Sequence, residues 1–228
     1  MTEKKIRIKF IFLVFFLILS FIMSFSIGRY PIKFFDVIKV IIDRIFYGII
    51  DNSPASTVIW NIRIPRVLCT ILVGAGISTS GALYQGLLKN PMVSPDILGT
   101  TQAAAFGCAF GILMYFNFFE ITLLSFSLGI LSVFVTYTLS KIFRSDRILG
   151  LILTGMMIGS LFSSLISFVK LVADTENQLP SITYWLMGSF ASVKMIDFKF
   201  IFFPIVIGLI VSNLYKIEIN IFTMGEEE

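Results

Sequence analysis

The chain has 228 residues, 57% hydrophobic and only 14% charged, where a water-facing domain carries about a quarter charged, so composition alone places it among membrane proteins. Its net charge of +4 sits mainly between apolar runs, which marks topology and leaves no continuous basic face for nucleic acid. The absence of histidine removes most zinc and haem-ligand schemes, the Ser-His-Asp triad and the Cys-His pair.

A helix crosses the hydrocarbon core with about 20 apolar residues, and the sequence offers about six such segments. The first covers residues 10–27, behind a basic tail at 1–9 with Lys4, Lys5, Arg7 and Lys9. Ser24 and Ser26 make a weak small-x-small cleavage site, but the apolar run is long for a signal peptide and further spans follow, so it is taken as a span. Residues 28–66 form an extracytoplasmic stretch. In it Val37, Val40, Ile41 and Ile45 recur at helical spacing, with Asp36, Lys39, Asp43 and Arg44 between them, the pattern of an interfacial helix lying across the mouth of the protein. Asp51, Asn52, Ser53 and Pro54 then make a turn.

The second span covers 67–88. Asn90 and Pro91 break the chain after it. Ser94 caps the third span (97–116), with Pro95 at its first position and Asp96 in its first turn. The fourth and fifth cover 121–140 and 148–169. Residues 174–194, with Pro180, Tyr184 and Trp185, read as a short extracytoplasmic helix with an aromatic anchor. The sixth span covers 198–215, with Lys199 near one end and Pro204 as a kink. Basic residues are dense in the tail and in the short turn holding Lys141, Arg144 and Arg147, and sparse in the outer stretches that also hold Asp36, Asp43, Asp51, Asp174 and Glu176. That density puts both ends in the cytoplasm. Cys69 and Cys108 fall inside apolar runs and read as small apolar side chains.

Lipid gives apolar helices no hydrophobic reason to associate, so packing needs close backbone approach. Gly74, Ser78, Ala82 and Gly86 supply it every four residues in the second span, and Gly155, Gly159, Ser163 and Ser167 in the fifth. These stripes either pack helices or border a moving pathway, and the pattern does not choose. Gln85, Gln102, Thr100, Thr101 and Ser164 are the polar residues that stand out within spans. Spans two to five contain no Asp, Glu, Arg or Lys, which argues against an ion-coupled transporter and an intramembrane hydrolase. The chain has no Gly-x-x-x-x-Gly-Lys-Ser/Thr loop, so ATP hydrolysis would belong to a separate subunit.

Three stretches then occur in order. Arg63-Ile64-Pro65-Arg66 leads into Leu72-Val73-Gly74-Ala75-Gly76 and Ser80-Gly81-Ala82-Leu83-Tyr84-Gln85-Gly86. Lys89-Asn90-Pro91-Met92-Val93-Ser94-Pro95-Asp96-Ile97-Leu98-Gly99 follows. Leu153-Thr154-Gly155 comes last, with Tyr184-Trp185-Leu186-Met187-Gly188-Ser189 after it. Together they resemble the permease family of ABC importers for iron–siderophores, haem and vitamin B12, from about residue 60 to the last. Thr223-Met224-Gly225-Glu226 also fits a capping box that opens a helix, with Glu227 and Glu228 favouring its amino end.

The resemblance implies an all-α integral membrane protein of the inner membrane of a bacterium or archaeon, a single permease domain over 1–228. It implies that Arg63 and Arg66 receive acidic residues of an extracytoplasmic substrate-binding protein. It implies that Thr223, Gly225, Glu226, Glu227 and Glu228, within 216–228, open a cytoplasmic coupling segment that meets an ATP-binding subunit. Helix packing or the pathway falls to Gly74, Ser78, Ala82, Gln85, Gly86, Gly155, Gly159 and Ser163. A second permease copy and membrane lipid complete the partners. No metal, cofactor or catalytic residue is expected in this chain, with ATP used by the partner subunit. Family members have roughly ten membrane helices, so a chain with about six is expected to be truncated, either a working permease piece or a non-transporting fragment.

Overall fold

The computed structural model describes residues 3–28, 30–48, 51, 53–142 and 147–224, and every regular element among them is helical. Five helical runs are long and apolar enough to cross a membrane: Lys5–Ser26, Pro54–Leu87, Phe118–Ser140, Ile148–Val172 and Met195–Leu214. They correspond to five of the expected spans. The first helix, α1 (Glu3–Ser26), starts inside the predicted tail, because Glu3, Lys4, Lys5 and Arg7 are helix formers that extend it.

The described chain divides into two units. One holds Met1–Gly76 and Phe190–Val211. Here α2 (Phe34–Phe46) is the predicted amphipathic helix. Its Val37 joins Phe25, Ile32 and Ile59 in a buried cluster, with Val40 and Ile41 packed against it, whereas Ile45 is exposed. The segment at 51–54 is a helix start more than a turn. Ser53 accepts a bond from the Ser56 N–H at 3.2 Å, and Pro54 occupies the first turn of α3 (Pro54–Val58). Helix then continues without a break through a five-residue π-helical turn, Ile59–Arg63, into α4 (Ile64–Leu87). The helix that carries the expected span at 67–88 therefore starts earlier, at Pro54, where cap and proline together launch it. Pro65 lacks an N–H and crowds the carbonyl four residues back; the wider turn just before it, closed by Ile64 N–H to the Ile59 carbonyl, loosens the ladder there. Most of α9 (Met195–Leu214), with Pro204 inside it, belongs to this unit.

The other unit holds Ile77–Ser189 and Ser212–Glu228. Its centre is α5 (Thr100–Leu113), packed on α6 (Phe118–Ser140), α7 (Arg147–Val172) and α8 (Gln178–Met187). Ala109, Val169, Ala173 and Ile182 form its buried core, ringed by Phe106, Ile112, Leu113, Leu179 and Leu186. At 14 residues, α5 is about 21 Å long against a hydrocarbon core of about 30 Å, so the expected third span is shorter than predicted. Residues 94–99 do not begin it. They form successive turns, Ile97 N–H to the Ser94 carbonyl and Gly99 N–H to the Asp96 carbonyl, and the helix starts after Gly99, which has φ +74°. Asn117 and Glu120 cap α6 reciprocally, at 3.0 and 2.8 Å. The predicted short helix appears as α8, with Tyr184 and Trp185 exposed. The described chain ends in α10 (Lys216–Met224).

Candidate functional site

The α7 stripe meets the turn that precedes α5. A Cβ on Gly155 would stand 2.0 Å from the Ile97 carbonyl oxygen, and one on Gly99 would stand 2.9 Å from the Gly159 nitrogen. A Cβ on Gly159 would stand 3.6 Å from the Gly99 Cα. The backbone at 97–99 is irregular yet lies among apolar helices. Such backbone is tolerated at that depth only when protein covers it, and the two glycines let α7 do so. Thr136 of α6, fully buried, donates to the Leu98 carbonyl at 3.2 Å. Gly155 and Gly159 are therefore a packing seam, while Ser163 is exposed beyond it.

The α4 stripe behaves differently. Gly74, Ser78 and Ala82 are exposed, and a Cβ on Gly74 would meet nothing within 4 Å. The close contacts of α4 run through other glycines: Gly76 against Ile205, with 3.3 Å from its built Cβ, and Gly81 against Pro95, with 3.5 Å. Of the two glycines in the stripe, Gly86 does have a neighbour, the Thr223 methyl, 3.1 Å from its built Cβ.

Gln85 holds the turn after α4, donating to the Pro91 carbonyl at 3.0 Å and the Val93 carbonyl at 3.4 Å. Lys89, with φ +48°, closes the helix, where Lys89 N–H meets the Gly86 carbonyl and Asn90 N–H the Gln85 carbonyl. That is a Schellman end, built with lysine where glycine is usual. Thr223 does not open a helix: it lies in the last turn of α10 and its hydroxyl donates back to the Asn220 carbonyl at 2.7 Å. The proposed partner of that cap, Glu226, lies with Gly225, Glu227 and Glu228 outside the described residues.

Arg63 and Arg66 lie within the Pro54–Leu87 helical run, ahead of the residues expected to form span two. Arg63 ends the π turn and is only 7% exposed. Its two terminal nitrogens donate to the Phe25 and Tyr30 carbonyls, tying down the end of α1 and the connection to α2. Ser26 adds a third bond there, donating to the Ile32 carbonyl at 3.0 Å. Gly28 lies under the guanidinium, with 3.0 Å from its built Cβ to Arg63 Nη2. Arg66 is half-buried and donates through Nε and Nη2 to the Phe190 and Ala191 carbonyls at 3.0 and 2.8 Å. Both arginines line a cavity of about 900 Å³ walled mainly by apolar side chains of α1 and of the Pro54–Leu87 run. Arg63 is thus a bound, buried cation.

The polar residues that escaped the sequence reading include Gln178 and the capping pair of α6, Asn117 and Glu120. Gln178, buried in α8, donates to the Leu113 carbonyl at 3.0 Å and the Ile112 carbonyl at 3.4 Å, satisfying the free end of α5. Its only signal was an amide beside an apolar run. The α6 cap had a clear one, Asn with Glu three residues on. Outside the spans, the Ser53 hydroxyl and N–H hold the Asp51 carboxyl below its usual range, and the Asn177 N–H does the same for Asp174. Among the described residues no cluster of three or more His, Cys, Asp or Glu could hold a metal.

A model of the FecCD transport family matches residues 16–228. A molybdate import system permease protein of Haemophilus influenzae is 32% identical over 93% of this chain and 63% of its own length. A cobalamin import system permease protein of Halobacterium salinarum is 29% identical over 76% of this chain and 47% of its own. A solved ABC transporter described as of the metal-chelate type, in an inward-facing conformation, superposes with a TM-score of 0.79 at 30% identity, covering 94% of this chain and 64% of that one. The chain thus spans less than two thirds of each of these proteins.

Proposed function

The chain belongs to the FecCD transport family, and on that premise we propose that it acts as a permease subunit of an ATP-driven importer that carries a metal-containing solute, an iron–siderophore or a related chelate, across the cytoplasmic membrane. The observation that carries this is the family match along nearly the whole chain, residues 16–228, on a helical fold with five candidate spans. It makes the chain a multi-pass protein of the inner membrane. Molybdate and cobalamin, named for the relatives, are both metal-containing, and the solved neighbour is of metal-chelate type; an iron complex is the member of that class we put first.

ATP hydrolysis falls to a separate subunit below the membrane. The segment from Thr223 through Gly225, Glu226, Glu227 and Glu228 is its contact; what supports this is that Thr223, at the described end of the chain, packs on Gly86 of α4. Both ends of the chain face the cytoplasm. A substrate-binding protein docks on the opposite side through Arg66, whose guanidinium suits carboxylates. Arg63 supports that mouth from within. A second permease copy completes the path, with the open Gly74, Ser78 and Ala82 face of α4 available to line or close it.

Co-purification tests this. The chain is expressed with the ATPase and binding protein encoded beside it, and the membrane complex is isolated. Retention of the ATPase, with hydrolysis stimulated by the binding protein, is the expected result. Failure of both, under conditions in which a full-length relative retains and stimulates its own ATPase, overturns the proposal for this chain.

A further inference from the structure

The cavity beside Arg63 poses an electrostatic problem. Arg63 is 7% exposed, and its recorded partners are two backbone carbonyls. Carbonyls are dipoles, not counter-ions, and a buried guanidinium is costly unless an anion pairs with it. Among the described residues neither Arg63 nor Arg66 meets a carboxylate, and no Asp or Glu lines the cavity. Ser20, Ser24 and Thr70 line it too, but their hydroxyls already donate to the Leu17, Phe21 and Arg66 carbonyls. The remaining wall is apolar, with Leu17, Phe21, Ile62 and Ile71 partly exposed along it.

A single ligand chemistry satisfies both parts: an anionic head on an apolar chain. We propose that this cavity binds one anionic phospholipid, its phosphate paired with Arg63 and overlooked by Arg66, and an acyl chain laid along Leu17, Phe21, Ile62 and Ile71. Guanidinium and phosphate pair bidentately, and basic recesses among membrane helices select anionic heads. A protein loop is a poorer occupant, since its carboxylate would bring no apolar chain to cover that wall. The α1 wall itself belongs to a candidate membrane span whose apolar stretch is 0% buried among the described residues, a surface suited to an acyl chain. The bound phosphate would neutralise the residue that ties the end of α1 to its connection with α2.

The detergent-purified chain is examined by native mass spectrometry in micelles holding phosphatidylglycerol or phosphatidylcholine with the same acyl chains. One phosphatidylglycerol is expected to remain bound, about tenfold more than phosphatidylcholine, whose phosphate is the same but whose choline cation is repelled by Arg63 and Arg66, the scale of one interaction with a charged group. Arg63→Gln should abolish the difference between the two lipids. Thr70→Trp, which fills the cavity and leaves both arginines in place, should lower retention of phosphatidylglycerol to the phosphatidylcholine level; it decides the matter if Arg63→Gln does not fold. Equal retention of the two lipids by the wild type, or unchanged retention in Thr70→Trp, overturns the assignment. Inorganic phosphate and glycerol phosphate are run as competitors: displacement of the lipid by either at equal concentration would make this an anion site without a lipid. Neither ATPase nor binding protein is present, so failure here leaves the importer proposal untouched.

Discussion

At the scale of single residues, the glycines of α4 and α7 look alike in sequence and carry opposite consequences. Gly155→Ala drives a methyl into the Ile97 carbonyl at 2.0 Å, a backbone atom that cannot turn aside. We expect a loss of about 1–3 kcal/mol or more from overpacking, read as a fall in the midpoint of thermal unfolding in detergent. Gly74→Ala meets open space and should be neutral or gain up to about 1 kcal/mol from helix propensity. Equal effects at the two positions would mean that the seam is not where the structure puts it. Arg63 gives a second residue-level expectation. Lysine is a point charge that cannot span the Phe25 and Tyr30 carbonyls together, so Arg63→Lys should cost about 1–3 kcal/mol. Gly28→Ala, pressing on the same pinned guanidinium from 3.0 Å, should destabilise in the same direction. Spacing identified both stripes, yet periodicity only says which residues share a face. Which face meets a neighbour was decided by the chain at 97–99, by Ile205 and by Pro95.

At the scale of elements, α5 depends on its two ends. Thr136 satisfies a carbonyl before its start and Gln178 satisfies carbonyls at its finish. Thr136→Val and Gln178→Leu each leave a buried acceptor unpaired and should cost about 1–3 kcal/mol, with faster hydrogen exchange in α5 than in α6 as the specific sign. Asn117→Ala removes the α6 cap at about 1 kcal/mol. The carboxyls of Asp51 and Asp174 are depressed by bonds at the starts of α3 and α8. Their contribution is therefore complete above the ordinary aspartate range, about 3.9, and fades as pH falls through the depressed values. Amide shifts of Ser53 and Asn177 should stay flat at neutral pH and move only in strong acid. The long spans were legible because an unbroken apolar run of that length has few alternatives. The short α5 was not, since 97–116 is just as apolar, and its late start comes from a left-handed Gly99 seated on α7. The early start of span two was readable: Ser53 before Pro54 is a helix opening, which the neighbouring Asp51 and Asn52 made look like a turn.

At the scale of the whole molecule, the roles proposed for the two arginines separate experimentally. If Arg66 meets carboxylates of a binding protein, Arg66→Glu should weaken its stimulation of ATP hydrolysis severalfold and flatten the salt dependence of docking, as loss of a rim charge does. Arg63→Lys should lower stability while leaving that salt dependence as it was. A matching loss of salt dependence in both would return Arg63 to the docking surface. The family was legible from ordered motifs, whereas the burial of Arg63 depends on Phe25 and Tyr30, far away along the chain, and nothing near residue 63 announces them. The shortness of α5 also bears on how the chain is made. A helix of 14 residues holding Thr100, Thr101 and Gln102 is a weak signal for the insertion machinery. Joined to α6 by Met114, Tyr115, Phe116 and Asn117 alone, it is expected to insert as half of a helical hairpin, and its seat on Gly155 and Gly159 can form only once those residues have been made.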